Sequence, residues 1–466
     1  MAYQRLTAQD TSFLHLENAT TPMHVGSLIL LEAGPLLDDA GRFRIDEVRE
    51  LVERRLDRVP RFRQKLLEVP FGQGRPVWVD DDRFDLSFHV RLTALPRPGT
   101  EEQLRALMGR LQSSPLDRRR PLWEVWFVEG VEGDRVALIH KAHHAMVDGV
   151  ASVDVATLLF DLEPTPPPDA QPSHWEPAPA PSPAQLLAET LLERAMEPAE
   201  MARSMRSVMR GPVAAMEAAR DIGRAVQAVG AIDAPRLPFN APVGPHRRFD
   251  MARAELAAVR AIKDAAGCTV NDVVLAVVTG ALRRFLIGLD VPVDGLVVKT
   301  LVPVSVRADE EQSDLGNRVA GIVAELPVGE PDPATRLRTI AASLIDLKES
   351  GQAVGIERIN QLLDFAPPTL LGLAARLVPR QRAVNLVVTN IPGPQIPLYC
   401  MGSRLLEIFP YVGIADSIGL VIAVVSYDGE LGFGLTGDRD LLPDLGVLAE
   451  EVEKAVAELA TSVGVG

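Results

Sequence analysis

Cysteine is scarce in this chain: Cys268 and Cys400 are the only two among 466 residues. Two thiols so far apart give neither a metal knuckle nor a disulfide framework, and they predict a reducing compartment. Positive charge is also short. Lysine and arginine number 48 against 63 aspartates and glutamates, a formal charge of −15, which argues against a nucleic-acid partner because phosphate binding needs a basic surface. The same deficit argues against adhesion of the whole molecule to anionic lipid. Long hydrophobic runs are missing. The longest, Val273 to Val278 and Leu420 to Val425, fall far short of the ~18–20 residues that span a bilayer. Met1 to Thr7 carries no hydrophobic signal core, so the expectation is a cytoplasmic protein whose membrane contact, where it occurs, is peripheral. What is present is an ordinary globular composition, 47% apolar and 24% charged. The length exceeds the size at which one core normally keeps growing, so two lobes are expected.

The clearest boundary is the proline-rich stretch from Pro164 to about Pro183, which can form neither helix nor interior strand and reads as a stiff, extended linker. It divides the chain into an N-terminal lobe (1–163), a linker with a helical connector (164–235) and a C-terminal lobe (236–466). The connector, Ala184 to Val229, is rich in helix formers and is broken by Pro198 and Pro212. Met201, Met205 and Met209 share one helical face among Arg203, Arg206 and Arg210, a stripe suited to packing on the lobes or to touching lipid. Before the linker, strands are expected at His24–Glu32, Phe84–Arg91, Trp123–Val128 and Arg135–Ala142, and helices at Asp46–Arg58, Glu101–Leu111 and Ala151–Leu162. After it, helices are expected at Asn271–Leu286, Ala334–Lys348, Glu357–Leu377 and Leu441–Leu459. Strands are expected there at Leu296–Val306, Val319–Leu326, Val384–Thr389, Leu405–Val412, Gly419–Ser426 and Glu430–Leu435. Mixed elements in both halves predict an α/β protein of two sandwiches.

The candidate chemistry centres on His143-His144. The pair follows the hydrophobic strand pattern of Arg135 to Ile139 and precedes the turn residues Asp148-Gly149. Strand ends and the loops after them are where sites are usually mounted on α/β scaffolds. Imidazole, with an unperturbed pKa of about 6.5, can take a proton near neutrality; the bland alternative is a hydrogen-bonded structural pair. A zinc site is set aside, because on a strand His140 and His144 share one face while His143 points to the other. A nucleophile elbow is set aside because no serine is flanked by glycines at both two-residue offsets. Gly432-Phe433-Gly434-Leu435-Thr436-Gly437 matches a dinucleotide fingerprint by letter, but it follows the hairpin turn Asp428-Gly429 and lacks the strand–turn–helix unit.

The run His143-His144-Ala145-Met146-Val147-Asp148-Gly149 resembles the HHxxxDG signature of the coenzyme-A-dependent acyltransferase superfamily. Further segments are similar to the bacterial wax ester synthase/diacylglycerol acyltransferase family. They are Asp10-Thr11-Ser12-Phe13-Leu14, Met23-His24-Val25-Gly26, Pro121-Leu122-Trp123-Glu124 and Asn271-Asp272-Val273-Val274-Leu275-Ala276, followed by Pro303-Val304-Ser305-Val306-Arg307 and Thr389-Asn390-Ile391-Pro392-Gly393-Pro394. They occur in order over most of the chain. The resemblance implies a two-lobed chloramphenicol-acetyltransferase-like sandwich with an active-site channel between the lobes. It implies acyl-CoA as co-substrate with no other cofactor, a lipid hydroxyl as acceptor, and lipid-droplet or inner-membrane surfaces as places of contact. His144 is then the general base and His143 the residue that orients it. Asp148 forms a structural salt bridge with Arg307, Asn271 and Gly149 line the channel, and Thr389 or Asn390 supplies the oxyanion donor. Arg118, Arg119 and Arg120 read either as partners of CoA phosphates or as a solvated basic turn. With no nucleophile in the motif, direct transfer without an acyl-enzyme is expected. Two other readings stay open: the same fold acylating a polyketide or glycolipid hydroxyl, and a non-catalytic lipid-droplet binding protein.

Overall fold

The computed structural model describes residues 3–146, 151–166, 175–193, 234–305, 319–349 and 383–465. Two six-stranded sheets organise them, with a three-stranded sheet at the side. The first large sheet is ordered β12-β13-β2-β7-β6-β5, where β2 is His24–Glu32, β5 Val90–Ala94, β6 Trp123–Val131, β7 Arg135–His143, β12 Tyr399–Cys400 and β13 Ser403–Val412. The second is ordered β10-β9-β11-β14-β15-β8, where β8 is Arg247–Glu255, β9 Val298–Ser305, β10 Val319–Leu326, β11 Leu386–Ile391, β14 Leu420–Tyr427 and β15 Glu430–Asp438. The small sheet joins β1 (Gln4–Arg5), β4 (Val77–Asp80) and β3 (Gln64–Leu67).

The strand β7 lies inside its sheet, antiparallel to both β2 and β6, and its near-continuous apolar run fits burial on both faces. On one face Val136, Leu138 and Ala142 meet Val48 and Val52 of helix α2 (Ile45–Arg55) and Val155, Leu158 and Leu159 of α5 (Ala151–Leu159). On the other, Ala137 and Ile139 meet Leu104, Leu107 and Met108 of α4 (Glu101–Ser113) together with Phe249 and Met251 of β8. Helix α4 starts in a capping box, Thr100 with Gln103, and sits between the two large sheets. Three ties fix it there: Arg105 to Asp250 at 2.6 Å, Arg253 to Glu101 at 2.9 Å, and the Arg247 N–H donating to Ser113 Oγ at 2.8 Å.

The second sheet is backed by α7 (Leu256–Ala266), α8 (Val270–Gly288), α9 (Pro333–Glu349) and α10 (Leu445–Ser462), after the helical stretch α6 at 183–193. Gly267 ends α7 at φ 65°, a left-handed position that suits glycine. A capping box of Thr269 with Asp272 then starts α8. No single described helix is long and apolar enough to cross a membrane.

Three expectations change. Phe84–Arg91 is not a strand: Asp85 caps the short helix α3 (Leu86–His89), its carboxylate accepting from the Ser87 N–H at 3.0 Å, and β5 begins only at Val90. Local side-chain capping overrides β-propensity there. The helix expected to reach Leu162 stops at Leu159, because Asp161 bridges to Tyr399. The last helix starts at Leu445 rather than Leu441, since Asp438 accepts from the N–H groups of Asp440 and Leu441 in a turn. The chain is also more interleaved than its segments: β12 and β13, from the third segment, complete the sheet of the first. The helix expected at Glu357–Leu377 and the face expected to carry Met201, Met205 and Met209 lie outside the described residues.

The glycine-rich run at 432–437 has a packing explanation. The strands β14 and β15 form a hairpin through Asp428 and Gly429, both at positive φ, as a tight two-residue turn requires. A Cβ on Gly432 or Gly434 would run into the carbonyls of Ile408 and Pro410 on β13. The glycines let strands of the two large sheets approach each other.

Candidate active site at the end of strand β7

His143 is the last residue of β7 and pairs with His24 at the start of β2. Its ring is fully buried. Nδ1 accepts from the Ala145 N–H at 3.0 Å, which places the proton of the neutral ring on Nε2. That Nε2 lies 3.4 Å from Glu17 Oε1, in ion-pair range but without a linear hydrogen bond. His24 Nε2 faces the same oxygen at 3.9 Å. Glu17 follows helix α1 (Ala8–Leu16) as its C-cap, and its other oxygen takes both Nε and Nη2 of Arg118, at 3.0 and 2.7 Å. Burial alone would raise the Glu17 carboxyl; the neighbouring His143 imidazole, then the Arg118 guanidinium, bring it down to about 2. Burial, with the charge of Lys141, drives His24 well below the ordinary imidazole range.

The next residue leaves the strand. His144 opens a single 3-10 turn, His144–Met146, its backbone N–H held by the Met23 carbonyl at 2.8 Å. Its ring stacks on Phe13 of α1, centroids 3.8 Å apart and planes inclined by 20°. Nδ1 is sealed from solvent and has no hydrogen-bond partner among the described residues. Burial pushes the His144 pKa down to about 4, against the pull of its own backbone carbonyl and with a further push from His143. The ring is therefore a neutral imidazole at pH 7, the form a base requires.

The strand before the pair ends in a different kind of burial. Lys141 reaches the carboxyl end of α4, where Nζ donates to the Leu111 carbonyl at 3.0 Å and to the Ser114 carbonyl. Burial lowers its pKa to about 8. This ammonium closes a helix C-terminus, where a cation is favoured.

Among the other expected site residues, Asn271 sits in the first turn of α8, between the cap Thr269 and Asp272, which completes the capping box. Thr389 and Asn390 are consecutive on β11 and so lie on opposite faces. Thr389 shares its face with Val387, which packs with Val421, Ile414 and Val412. Val412 pairs with Val25, and Val25 with Ala142 beside His143. The face of Thr389 thus looks toward the end of the first sheet that carries the histidines, whereas Asn390 falls on the side of Leu386 and Val388, under α8. No hydrogen bond among the described residues joins Asn271, Thr389 or Asn390 to His144. Arg118 is taken up by Glu17, and Arg119 by Asp117 at 3.0 Å. Arg120 lies 3.8 Å from Asp117 and 3.9 Å over the Phe88 ring. The basic turn is thus ion-paired within the protein. Asp148, Gly149 and Arg307 lie outside the described residues. Sequence reasoning missed Glu17. Its position a few residues after the Asp10–Leu14 segment was the only signal, and nothing in that spacing showed which side chain it meets.

The model of the wax ester synthase/diacylglycerol acyltransferase catalytic domain matches residues 6–274, and that of the WS/DGAT C-terminal domain matches residues 315–460. A Mycobacterium tuberculosis protein named as a probable diacylglycerol O-acyltransferase, tgs1, is 35% identical over 460 residues, covering 97% of this chain and 95% of its own. A second from that organism, tgs2, is 34% identical over 471 residues and 98% of each chain. The solved wax ester synthase/diacylglycerol acyltransferase from Marinobacter aquaeolei VT8 superposes with a TM-score of 0.69 at 29% identity, over 99% of this chain and 100% of that one. A starter condensation domain of rhizomide synthetase, solved with C8-CoA and Leu-SNAC, gives a TM-score of 0.57 at 13% identity over 98% and 95%, a likeness of fold.

Proposed function

The chain belongs to the wax ester synthase/diacylglycerol acyltransferase family, and from that premise we propose that His144 is the general base of its acyl transfer. The protein is an O-acyltransferase. Acyl-CoA gives its long-chain acyl group to the hydroxyl of diacylglycerol, producing triacylglycerol, with fatty alcohols as second acceptors that yield wax esters. An alcohol is a poor nucleophile at neutral pH, so a base must take its proton as the oxygen attacks the thioester carbonyl. With Nδ1 enclosed, Nε2 of His144 is the atom assigned to that proton. The C–O bond forms, the tetrahedral intermediate collapses, the C–S bond breaks, and the imidazolium returns the proton to the CoA thiolate. The observation that carries this reading is an imidazole just past the end of β7, stacked on Phe13 with its Nδ1 sealed from solvent.

Thr389 is assigned to the oxyanion, because its face of β11 looks toward the histidines and a donor must meet the developing charge. Asn271 is assigned to the wall of a channel running between the lobes. Transfer is direct. Burial raises the Cys400 thiol to about 12 and also raises that of Cys268, so neither is a thiolate at neutral pH. Since diacylglycerol stays in lipid, we place the enzyme in the cytoplasm at the surface of the inner membrane or of lipid droplets.

The test is CoA-thiol release from a long-chain acyl-CoA across a panel of acceptors, with wild type and His144→Ala. Diacylglycerol should support release. The variant should lose ~10²–10⁴-fold in kcat with its thermal melt unchanged. Near wild-type turnover in folded His144→Ala would remove the base from the mechanism.

A further inference from the structure

We propose that Glu17 is a positioning residue for His144, acting through the backbone on both sides of that histidine. This rests on His144 being the base. One carboxylate oxygen, Glu17 Oε1, faces three groups: His143 Nε2 at 3.4 Å, His24 Nε2 at 3.9 Å and the Met23 N–H at 3.3 Å. Two of them lead on to the candidate base. Met23, held at its N–H, offers its carbonyl to the His144 N–H at 2.8 Å. His143, whose Nε2 faces Oε1 at 3.4 Å, offers Nδ1 to the Ala145 N–H at 3.0 Å. The two amides that fix the turn of His144 are therefore both tied, one residue removed, to Glu17.

The carboxylate also sets a tautomer. With its proton drawn to Nε2 by Glu17, His143 presents a bare Nδ1 to Ala145; the opposite tautomer would set an N–H against an N–H and open the turn. Phe13, four residues before Glu17 and on the same helix, closes the ring of His144 from above. Helix α1 and its cap thus hold the backbone and the ring of one residue. Buried groups of this kind are costly to leave half-satisfied, and the Nε2 atoms of His24 and His143 have no partner at hydrogen-bond geometry.

A purely mechanical role would make Glu17 a tie between α1 and the loop bearing Arg118. The two roles separate in kinetics. Glu17→Gln, Glu17→Asp, Arg118→Gln and His144→Ala are assayed as full-length proteins with a long-chain acyl-CoA and diacylglycerol, alongside thermal melts. Glu17→Gln should lower kcat by roughly 10- to 100-fold while KM for acyl-CoA changes less than about twofold. Glu17→Asp, which keeps the charge, should recover part of that loss. Arg118→Gln breaks the tie but leaves Oε1 facing His143 and Met23, so it should cost melting temperature more than kcat. Wild-type kcat in Glu17→Gln, or equal loss of kcat in Glu17→Gln and Arg118→Gln, overturns the proposal. If Glu17→Gln does not fold, Glu17→Asp decides alone: reduced kcat at constant KM supports it and wild-type kcat sinks it. His144→Ala keeps the two readings apart. An active His144→Ala removes the base itself, whereas an inactive one beside a fully active Glu17→Gln removes the positioning role alone.

Discussion

The first large sheet buries His24, His140, Lys141 and His143 at one end, while the helix-covered face of the second is packed with valine, leucine, isoleucine and alanine around α8. The two sheets have six strands each, and their interiors differ in kind. Burying an ionisable group is unfavourable unless it is paired or stays neutral, and the first sheet shows both solutions. Glu17 stays ionised against Arg118 and His143, while His140 and His144 are held neutral with pKa values pushed down to about 4, chiefly by burial. Such groups concentrate where chemistry is done. In the second sheet, β11 turns the face of Thr389 toward the histidines. In the proposed mechanism the polar interior serves catalysis and the apolar interior serves support.

The largest expected effect that sharpens this division lies on β11. If its contribution to chemistry is one face, Thr389→Val should lower kcat by ~10²–10³-fold, the loss typical of an oxyanion donor, with the melt nearly unchanged. Asn390→Ala, on the opposite face, should fall well short of that. Steady-state kinetics of the two variants side by side checks it. Equal losses would mean that the alternation along β11 does not decide which residue meets the substrate.

The next effect is on stability alone. Leu275 of α8 is fully buried in the apolar interior. Leu275→Ala should cost ~2–5 kcal/mol by leaving a cavity, read from denaturant unfolding, while kcat per folded molecule holds. A fall in kcat larger than the fall in folded fraction would show that the second lobe does more than support.

What the sequence disclosed follows the same division. The apolar run of β7, the His143-His144 pair after it and the hydrophobic length of α8 are local patterns, and each lies where the pattern puts it, within a few residues. The capping of α3 by Asp85 was misread because Phe84–Arg91 has strand composition, and a single Asx contact is not visible in composition. The crossing of β13 into the first sheet was illegible for another reason: its partner β2 is more than 370 residues away in sequence, and strand order is set by packing between distant elements. Glu17 belongs to that class. Its contacts with His143 and Arg118 span over a hundred residues, so nothing near it in sequence marks it. Gly432 and Gly434 let β13 approach, a use that needs the second sheet in place.

The smallest expected effect is one of pH, and it tests whether the polar interior keeps its histidines neutral. An imidazole at its ordinary pKa of about 6.5 would be about nine-tenths protonated at pH 5.5 and cost about tenfold in kcat/KM. Burial places His144 near 4 instead, so kcat/KM per folded molecule should hold nearly flat from pH 7.5 to 5.5 and fall only as pH approaches 4. Stability moves first. His89 and His140 are likewise held near 4, chiefly by burial, so the unfolded chain binds protons that the folded one refuses. Their contribution is therefore complete above pH 6.5 and is lost as pH falls from 6.5 through 4. Glu17, lowered from 4.5 to about 2, adds stability that is present above 4.5 and lost as pH falls from 4.5 through 2, so it leaves the histidine window above 4.5 unmasked. The melting temperature should decline between pH 6.5 and 4.5 while kcat/KM, corrected for folded fraction, barely moves until the lower end. An activity limb centred near 6.5 would mean that the base titrates as a solvated imidazole, and the contrast between the two interiors would then carry no chemical meaning at His144.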